Sequence, residues 1–158
     1  MKQFFFSLLL GVVLLTSCDN AMIYGEDLDI KDHFWHKDSI FIFESDSLID
    51  LPQVLKIGVT VRNTVDYKYR NLWLFVEIKL PNKETPIRDT LNHVLMTSEG
   101  FWSENVDGSN IKESVKYYKY AIQNPPEGSY SVKVQHGMRD EFLGEIVSIG
   151  TRIEKHEN

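Results

Sequence analysis

The sequence predicts an all-β fold, specifically an antiparallel β-sandwich of about seven to eight strands in a jelly-roll-like arrangement. Three observations predict this fold. Apolar and polar residues alternate with a period of two along several segments, turn-forming residues separate these segments, and no segment outside the N-terminal leader spaces its apolar residues as an amphipathic helix does. Short strands that recur along a chain in this way are typical of sandwiches and barrels.

The two clearest strands lie in the middle of the chain. Residues 54–62 (VLKIGVTVR) carry apolar side chains at every second position from Leu55, and residues 71–80 (NLWLFVEIKL) do so from Leu72. Each segment therefore has one face suited to a core. Similar patterns predict further strands near residues 40–44, 87–96, 115–122, 129–136 and 146–155. A short helix over Asn110–Tyr117 is the main alternative to a strand.

Turn chemistry separates the predicted strands. Proline fixes φ, and glycine and asparagine tolerate positive φ, so clusters of these residues favour chain reversal. Such clusters occur at residues 51–53, 81–83, 106–108 and 125–128. They divide the chain at intervals that suit the strands of a sandwich.

Composition limits the functional classes. The chain has 158 residues, of which 42% are hydrophobic, which is enough for the core of one domain. Its formal net charge is −6 and it has no basic cluster, so nucleic acid is not an expected partner. The single cysteine, Cys18, cannot form an internal disulfide, and the fold therefore depends on packing.

The N-terminus has the features of a lipoprotein export signal. Lys2 precedes the apolar run 4–15, and the small residues Thr16 and Ser17 precede Cys18. A helix of about twelve residues is about 18 Å long, which is too short for a hydrocarbon core of about 30 Å. The order of residues resembles the bacterial lipobox, in which the cysteine sulfur receives a diacylglyceryl group and the leader is cut just before it. The alternative is a buried free cysteine behind a leader that is cut elsewhere.

This signal predicts three segments. Residues 1–17 are the expected lipoprotein signal peptide, residues 18–32 the lipidated N-terminus and a polar tether, and residues 33–158 a single β-sandwich domain. The tether is expected because the segment is acidic and has few apolar side chains to bury. An edge strand at Met22–Tyr24 is the alternative. Two acyl chains on Cys18 would attach the protein to a membrane without a spanning helix.

No motif for catalysis or metal binding stands out. The five histidines include one close pair, His33 and His36, whose spacing points the rings to opposite faces of a strand and lacks a zinc-protease pattern. The acidic segments GEDLDIKD and FESDSLID do not have the spacing of a calcium loop. The chain also lacks a P-loop and a G-x-S-x-G elbow. We therefore expect no enzyme activity, metal, cofactor or small-molecule substrate, apart from the covalent acyl lipid on Cys18.

The polar faces of the predicted strands carry many aromatic side chains. Trp73 and Phe75 lie opposite the apolar row of their strand, and rigid amphipathic rings are favoured at interfaces and in sugar clefts. Coverage of both faces of a central strand is the alternative explanation. The candidate partner-contact residues are Tyr67, Tyr69, Trp73, Trp102, Met138 and Arg139. Two competing functions are a surface carbohydrate-binding sandwich and a hydrolase that uses acids such as Asp89 and Asp140.

Several short blocks along the chain resemble one protein family. They follow the lipobox at Cys18 in this order: Trp35, VRN at 61–63, YKYRNLWLF at 67–75, RDT at 88–90, GFW at 100–102, PPEGSY at 125–130, QHGMR at 135–139 and IGTRIEK at 149–155. This ordered set is similar to the GldH-type gliding-motility lipoproteins of Bacteroidota. One departure is SENVDGSN at 103–110, where the family is usually glycine-rich.

The resemblance implies an all-β envelope lipoprotein that is needed by the gliding machinery and the associated protein-secretion apparatus, with no known enzymatic activity or cofactor. The implied partners are other envelope proteins of that machinery, for which the tethered domain would act as a scaffold or assembly component. The implied location is the cell envelope, with a lipid anchor in the outer membrane. Residues 19–21 lack the acidic run of many surface-exported lipoproteins, which favours a domain that faces the periplasm.

Overall fold

The computed structural model describes residues 21–102 and 110–156. Within these residues the chain forms eleven strands, one turn of 3-10 helix at Lys31–His33 and no α-helix. The strands are β1 (Met22–Asp29), β2 (Phe34–His36), β3 (Phe41–Glu44), β4 (Val54–Thr64), β5 (Asn71–Lys79), β6 (Ile87–Val94), β7 (Ile111–Tyr117), β8 (Ile122–Gln123), β9 (Ser131–His136), β10 (Phe142–Gly144) and β11 (Ile146–Lys155). The predicted all-β fold class is confirmed.

Eight of these strands form two antiparallel sheets. Sheet I has the order β1-β11-β4-β7, and sheet II has the order β3-β9-β5-β6. Among these eight, the first strand pairs with the last, the second with the second to last, and so on to the central hairpin β5–β6. A long antiparallel hairpin that rolls up on itself has this order, which is that of a jelly roll. Outside this pattern, β8 pairs with the start of β4, and β2 pairs with β10 as a separate ribbon.

The core lies between the two sheets and is built from alternate residues of their strands. The buried members from β4 and β5 are Leu55, Ile57, Val59, Val61, Leu72, Leu74, Val76 and Ile78. These are the faces that the sequence pattern predicts. Removal of this apolar surface from water is the main stabilising contribution. At one end of the core, the buried Trp35 indole packs edge-on against Phe41 and His136 and donates a 3.0 Å hydrogen bond to the Ser39 carbonyl.

The predicted tether is wrong for residues 22–29. These residues form β1, an edge strand of sheet I that pairs along its length with β11. The strand has few apolar side chains because one of its faces is exposed: Leu28 packs against the core, whereas Asp27 and Asp29 are exposed. The alternative of an edge strand at Met22–Tyr24 is therefore closer to the structure. The first strand of the described sandwich therefore begins at residue 22, whereas the sequence predicted a domain from residue 33.

The strand pairings define two ends of the sandwich. The start of β1, the end of β11 and the start of β4 lie together, because Met22 pairs with Glu154 and Leu55 pairs with Lys155. We name this the basal end. Its connecting segments are residues 45–53, 80–86 and 118–130. The opposite, distal end carries the β2–β10 ribbon and the connection between β4 and β5.

A candidate interaction groove on sheet II

The outer faces of the two sheets differ in chemistry. On sheet I, Glu113 pairs with Arg62 at 3.6 Å and with Arg152 at 2.6 Å, and Lys56 pairs with Glu154 at 3.1 Å. Sheet II instead exposes apolar side chains that are each between 41% and 53% accessible: Ile40, Ile42, Trp73, Phe75 and Val94. Exposed apolar side chains that concentrate on one face mark an interaction surface.

Two adjoining depressions on this face form one groove. The first has a volume of about 450 Å³ and the second about 410 Å³, and Phe75 and Thr90 line both. We name the combined surface the aromatic groove. Its main lining residues are Ile40, Tyr69, Trp73, Phe75, Thr90, Gln135, Met138 and Arg139. The groove runs along the outer face of β5, from Glu77 past Phe75 and Trp73, to Arg139 at the distal end of sheet II.

The groove is shaped by the chain immediately after β9. The N–H of Gly137 donates to the Trp73 carbonyl at 2.7 Å, and the N–H of Trp73 donates to the Met138 sulfur at 3.4 Å. A Cβ on Gly137 would lie 3.0 Å from the nearest atom of the Phe75 ring. The absence of a side chain at Gly137 therefore lets this ring lie against the backbone. The same short segment therefore places Met138 beside Trp73 and lies against the ring of Phe75.

The groove is lined by three cations, Arg88, Lys133 and Arg139, and by two carboxylates, Glu77 and Asp89. Arg88 Nε lies 2.7 Å and Lys133 Nζ 3.1 Å from oxygens of the same carboxylate, that of Glu77. Their hydrogen bonds hold the pKa of Glu77 below its usual range. Among the residues that the structure describes, Arg139 takes part in no ion pair. A surface with these cations differs from the chain as a whole, whose net charge is −6.

The two acids of the hydrolase hypothesis lie in separate ion pairs. Asp140 accepts a 3.0 Å hydrogen bond from the Tyr69 hydroxyl and lies 2.8 Å from Lys68, and Asp89 lies 3.0 Å from Lys119. Hydrogen bonds from these lysines lower the pKa of both carboxyl groups. A general acid needs a raised pKa, and a catalytic pair needs two carboxyl groups that face one substrate. The arrangement of Asp89 and Asp140 does not favour acid–base catalysis.

Four of the six candidate contact residues line the aromatic groove together: Tyr69, Trp73, Met138 and Arg139. Tyr67 is a wrong choice, since only 3% of it is exposed. Its ring packs edge-on against Tyr69 at 5.9 Å, and its hydroxyl donates to the Asn71 carbonyl at 3.1 Å. Trp102 lies outside the groove, in the connection after β6, where its backbone bridges to Met96. Cys18, the leader and the predicted turn at 106–108 lie outside the described residues.

Phe75, Ile40 and Ile42 also lie exposed on this face but are not among the contact residues predicted from the sequence. The sequence does indicate the exposure of Phe75, because Phe75 lies two residues after Trp73 and therefore on the same face of β5. No comparable signal exists for β3, because the segment SIFIFE is apolar at both parities. The structure buries Phe43 and exposes Ile42, a choice that depends on pairing with β9.

Three of the five histidines, His36, His93 and His136, pack against other side chains or lie in the interior. Burial lowers the pKa of His93 to about 4 and also lowers the pKa of His136, whose Nε2 lies 3.1 Å from the Trp35 carbonyl. His36 stacks edge-on against Phe142, with ring centroids 4.8 Å apart.

Within residues 21–102 and 110–156, no group of three or more histidine, cysteine or acidic side chains is arranged so that it could hold a metal ion. The described part of the chain contains no helix able to cross a bilayer.

A jelly-roll β-sandwich with an exposed aromatic groove on one sheet is the class of protein that these observations define. Within that class the chain belongs to the GldH lipoprotein family, whose family model matches residues 22–153. The resemblance in the ordered sequence blocks is therefore confirmed.

Two relatives match nearly the whole chain. A protein of Christiangramia forsetii named gliding motility lipoprotein GldH homolog is 36% identical over 160 residues, which cover 97% of this chain and 96% of the relative. The gliding motility lipoprotein GldH of Flavobacterium johnsoniae is 31% identical over 157 residues, which cover 95% of each chain.

Two solved structures show weaker likenesses. The VP2 subviral particle of infectious bursal disease virus has a TM-score of 0.36 and 14% identity, and the match covers 95% of this chain and 37% of that chain. Dimeric latent PorU from Porphyromonas gingivalis has a TM-score of 0.35 and 9% identity, and the match covers 88% of this chain and 14% of that chain.

Proposed function

We propose that this chain is a lipid-anchored, non-enzymatic component of the gliding-motility machinery and of the associated protein-secretion apparatus, in which it acts as a scaffold. Membership of the GldH lipoprotein family supports this role, and its relatives carry the name of gliding motility lipoproteins. The order of residues around Cys18 supports the anchor. Acyl chains on this cysteine hold the protein at the outer membrane, and the sandwich faces the periplasm.

The aromatic groove is the observation that carries the scaffold role. Trp73 and Phe75 are 41% and 49% exposed on a face that also presents Met138 and Arg139. Tryptophan, methionine and arginine are the side chains that are enriched at the centres of protein interfaces. Its proposed occupant is another envelope protein of the same machinery. Because both molecules are confined to a thin layer at the membrane, a modest affinity is sufficient for assembly.

A double substitution, Trp73→Ser with Phe75→Ser, tests the role of the groove. Each ring is about half buried, so their removal should lower the free energy of unfolding by about 2 to 3 kcal/mol, and the variants are compared at an equal level of folded protein. Phe34→Ser is the matched control, since Phe34 is 58% exposed on β2 and does not line the groove. In cells that lack the native gene, we expect the control to restore colony spreading and protein secretion and the double variant to fail at an equal membrane level. Full restoration by the double variant would show that partners bind elsewhere.

A carbohydrate is the second candidate ligand for the groove. Asn71, Thr90 and Gln135 place hydrogen-bonding side chains beside the exposed rings, and sugar rings stack on aromatic faces while their hydroxyl groups bind polar side chains. Titration of the mature protein with oligosaccharides from the cell envelope distinguishes the two ligands. Saturable sugar binding that Trp73→Ser abolishes would favour the carbohydrate, whereas no sugar binding would favour a protein partner.

A further inference from the structure

We propose that the basal end of the sandwich faces the lipid bilayer, so that the aromatic groove opens toward the distal end, away from the membrane surface. The proposal rests on the lipidation of Cys18 that the proposed function includes. It adds the surface that the membrane contacts and the direction in which the groove is presented.

The length of chain between the lipid and the sandwich supports this orientation. Ala21 follows Cys18 by three residues, and its carbonyl accepts a 2.8 Å hydrogen bond from the N–H of Lys155 at the end of β11. Three residues span at most about 11 Å when fully extended. The eight residues of β1 extend over about 26 Å toward the distal end. The acylated cysteine can therefore lie close to the basal end, while the distal end is beyond its reach.

The basal end also offers side chains suited to a membrane interface. The N–H of His156 donates to the Val54 carbonyl at 3.0 Å, and β8 pairs with the first two residues of β4, so the basal segments lie beside the end of β11. Ile49 and Tyr120 project from these segments and are 66% and 64% exposed. Aliphatic and aromatic side chains of this kind are favoured at the boundary between headgroups and acyl chains.

The distal end is the competing surface for the bilayer. Phe34 and Phe142 of the β2–β10 ribbon are 58% and 57% exposed there, and exposure alone would suit them to lipid equally well. The three-residue connection from Cys18 to Ala21 favours the basal end as the membrane surface, because the distal end lies the whole length of β1 away from Ala21. Trp73 lies six residues along β5 from Lys79, a distance of about 20 Å from the basal edge of sheet II. The part of the groove around Trp73 is therefore clear of the headgroups and accessible to a protein partner, whereas Glu77 and Lys133 line the end of the groove that lies nearer the membrane.

Fluorescence quenching from single cysteines tests the orientation. Cys18 is the one cysteine in the chain and its sulfur carries the lipid, so an introduced cysteine is the one free thiol. Ile49→Cys labels the basal end, and Phe142→Cys is the matched distal position with similar exposure. Each mature lipidated variant is labelled with bimane and reconstituted into phosphatidylethanolamine and phosphatidylglycerol vesicles that contain a lipid with a nitroxide headgroup. We expect quenching at Ile49→Cys to exceed that at Phe142→Cys at least threefold.

Two contrary results are distinguishable in the same experiment. If both variants float with the vesicles but are quenched equally, or Phe142→Cys is quenched more strongly, the orientation is overturned while the anchor stands. If neither variant floats with the vesicles, the protein carries no anchor, and both the orientation and the proposed function are overturned. Mass measurement of the N-terminal peptide records the lipid in each preparation.

Discussion

Gly137 shapes the aromatic groove because a side chain at this position would displace the ring of Phe75. The nearest ring atom lies 3.0 Å from where a Cβ would stand. Gly144 has a similar relation to Phe34 at the distal end, where a Cβ would lie 3.3 Å from the ring. At both positions a small residue lets an exposed phenylalanine lie against the backbone. The difference is that Phe75 lines the groove and Phe34 does not.

The substitution Gly137→Ala should reduce partner binding with little loss of stability. The added methyl group pushes the exposed Phe75 ring outward, and an exposed ring moves at a cost of about 1 kcal/mol or less. We expect severalfold less envelope protein to co-purify with this variant than with Gly144→Ala, the matched control. Equal co-purification from the two variants would contradict the contribution of the Phe75 position to binding.

At the scale of strands, β1 is the element whose observed role differs most from the role that its sequence predicts. Its acidic side chains suggest a solvated tether, yet its backbone pairs with β11 over the length of the strand. Gly150 of β11 makes the pairing close: a Cβ there would lie 2.6 Å from the Glu26 carbonyl and would overlap the Asp27 carboxylate. Backbone geometry, which a polarity pattern does not record, therefore holds this edge of sheet I together.

The substitution Gly150→Ala should destabilise the protein through the β1–β11 pair. The carbonyl of Glu26 belongs to the backbone of the neighbouring strand and cannot move without loss of pairing. We therefore expect the free energy of unfolding, measured with a denaturant, to fall by about 2 to 4 kcal/mol. Gly25→Ala is the control within β1, because its Cβ would meet the flexible end of Met22, 2.9 Å away. If the two variants are equally stable, β1 does not pack as described.

The sequence predicted those strands in which alternation is strong. The observed bounds of β11, residues 146–155, are the predicted ones, and the buried faces of β4 and β5 are also those that the sequence predicts. β7 begins at Ile111, earlier than expected, and it replaces the alternative helix; its inward position Ser114 is buried although polar. The short strands β2, β8 and β10 have two or three residues each, so their pattern carries no periodicity. The groove could be anticipated at Trp73, but its shape depends on pairing and on Gly137.

At the scale of the whole molecule, the jelly roll separates two tasks. In the proposed orientation, the lipid on Cys18 lies near the basal end, because Cys18 precedes Ala21 by three residues, and sheet II presents the aromatic groove toward the opposite end. The outer face of sheet I is occupied by its own ion pairs around Glu113 and Glu154. Lipid attachment and partner binding can therefore occur at the same time without competition for surface.

Photo-crosslinking in living cells measures most directly whether the groove binds the gliding and secretion machinery. A benzophenone amino acid replaces Trp73 in the groove or, as the control, Tyr120 at the basal end, which is 64% exposed. We expect Trp73 to form a covalent adduct with an envelope protein of that machinery, identified by mass spectrometry, at least tenfold more strongly than Tyr120. A Trp73 position that yields no protein adduct, or no more than Tyr120 yields, would contradict the account.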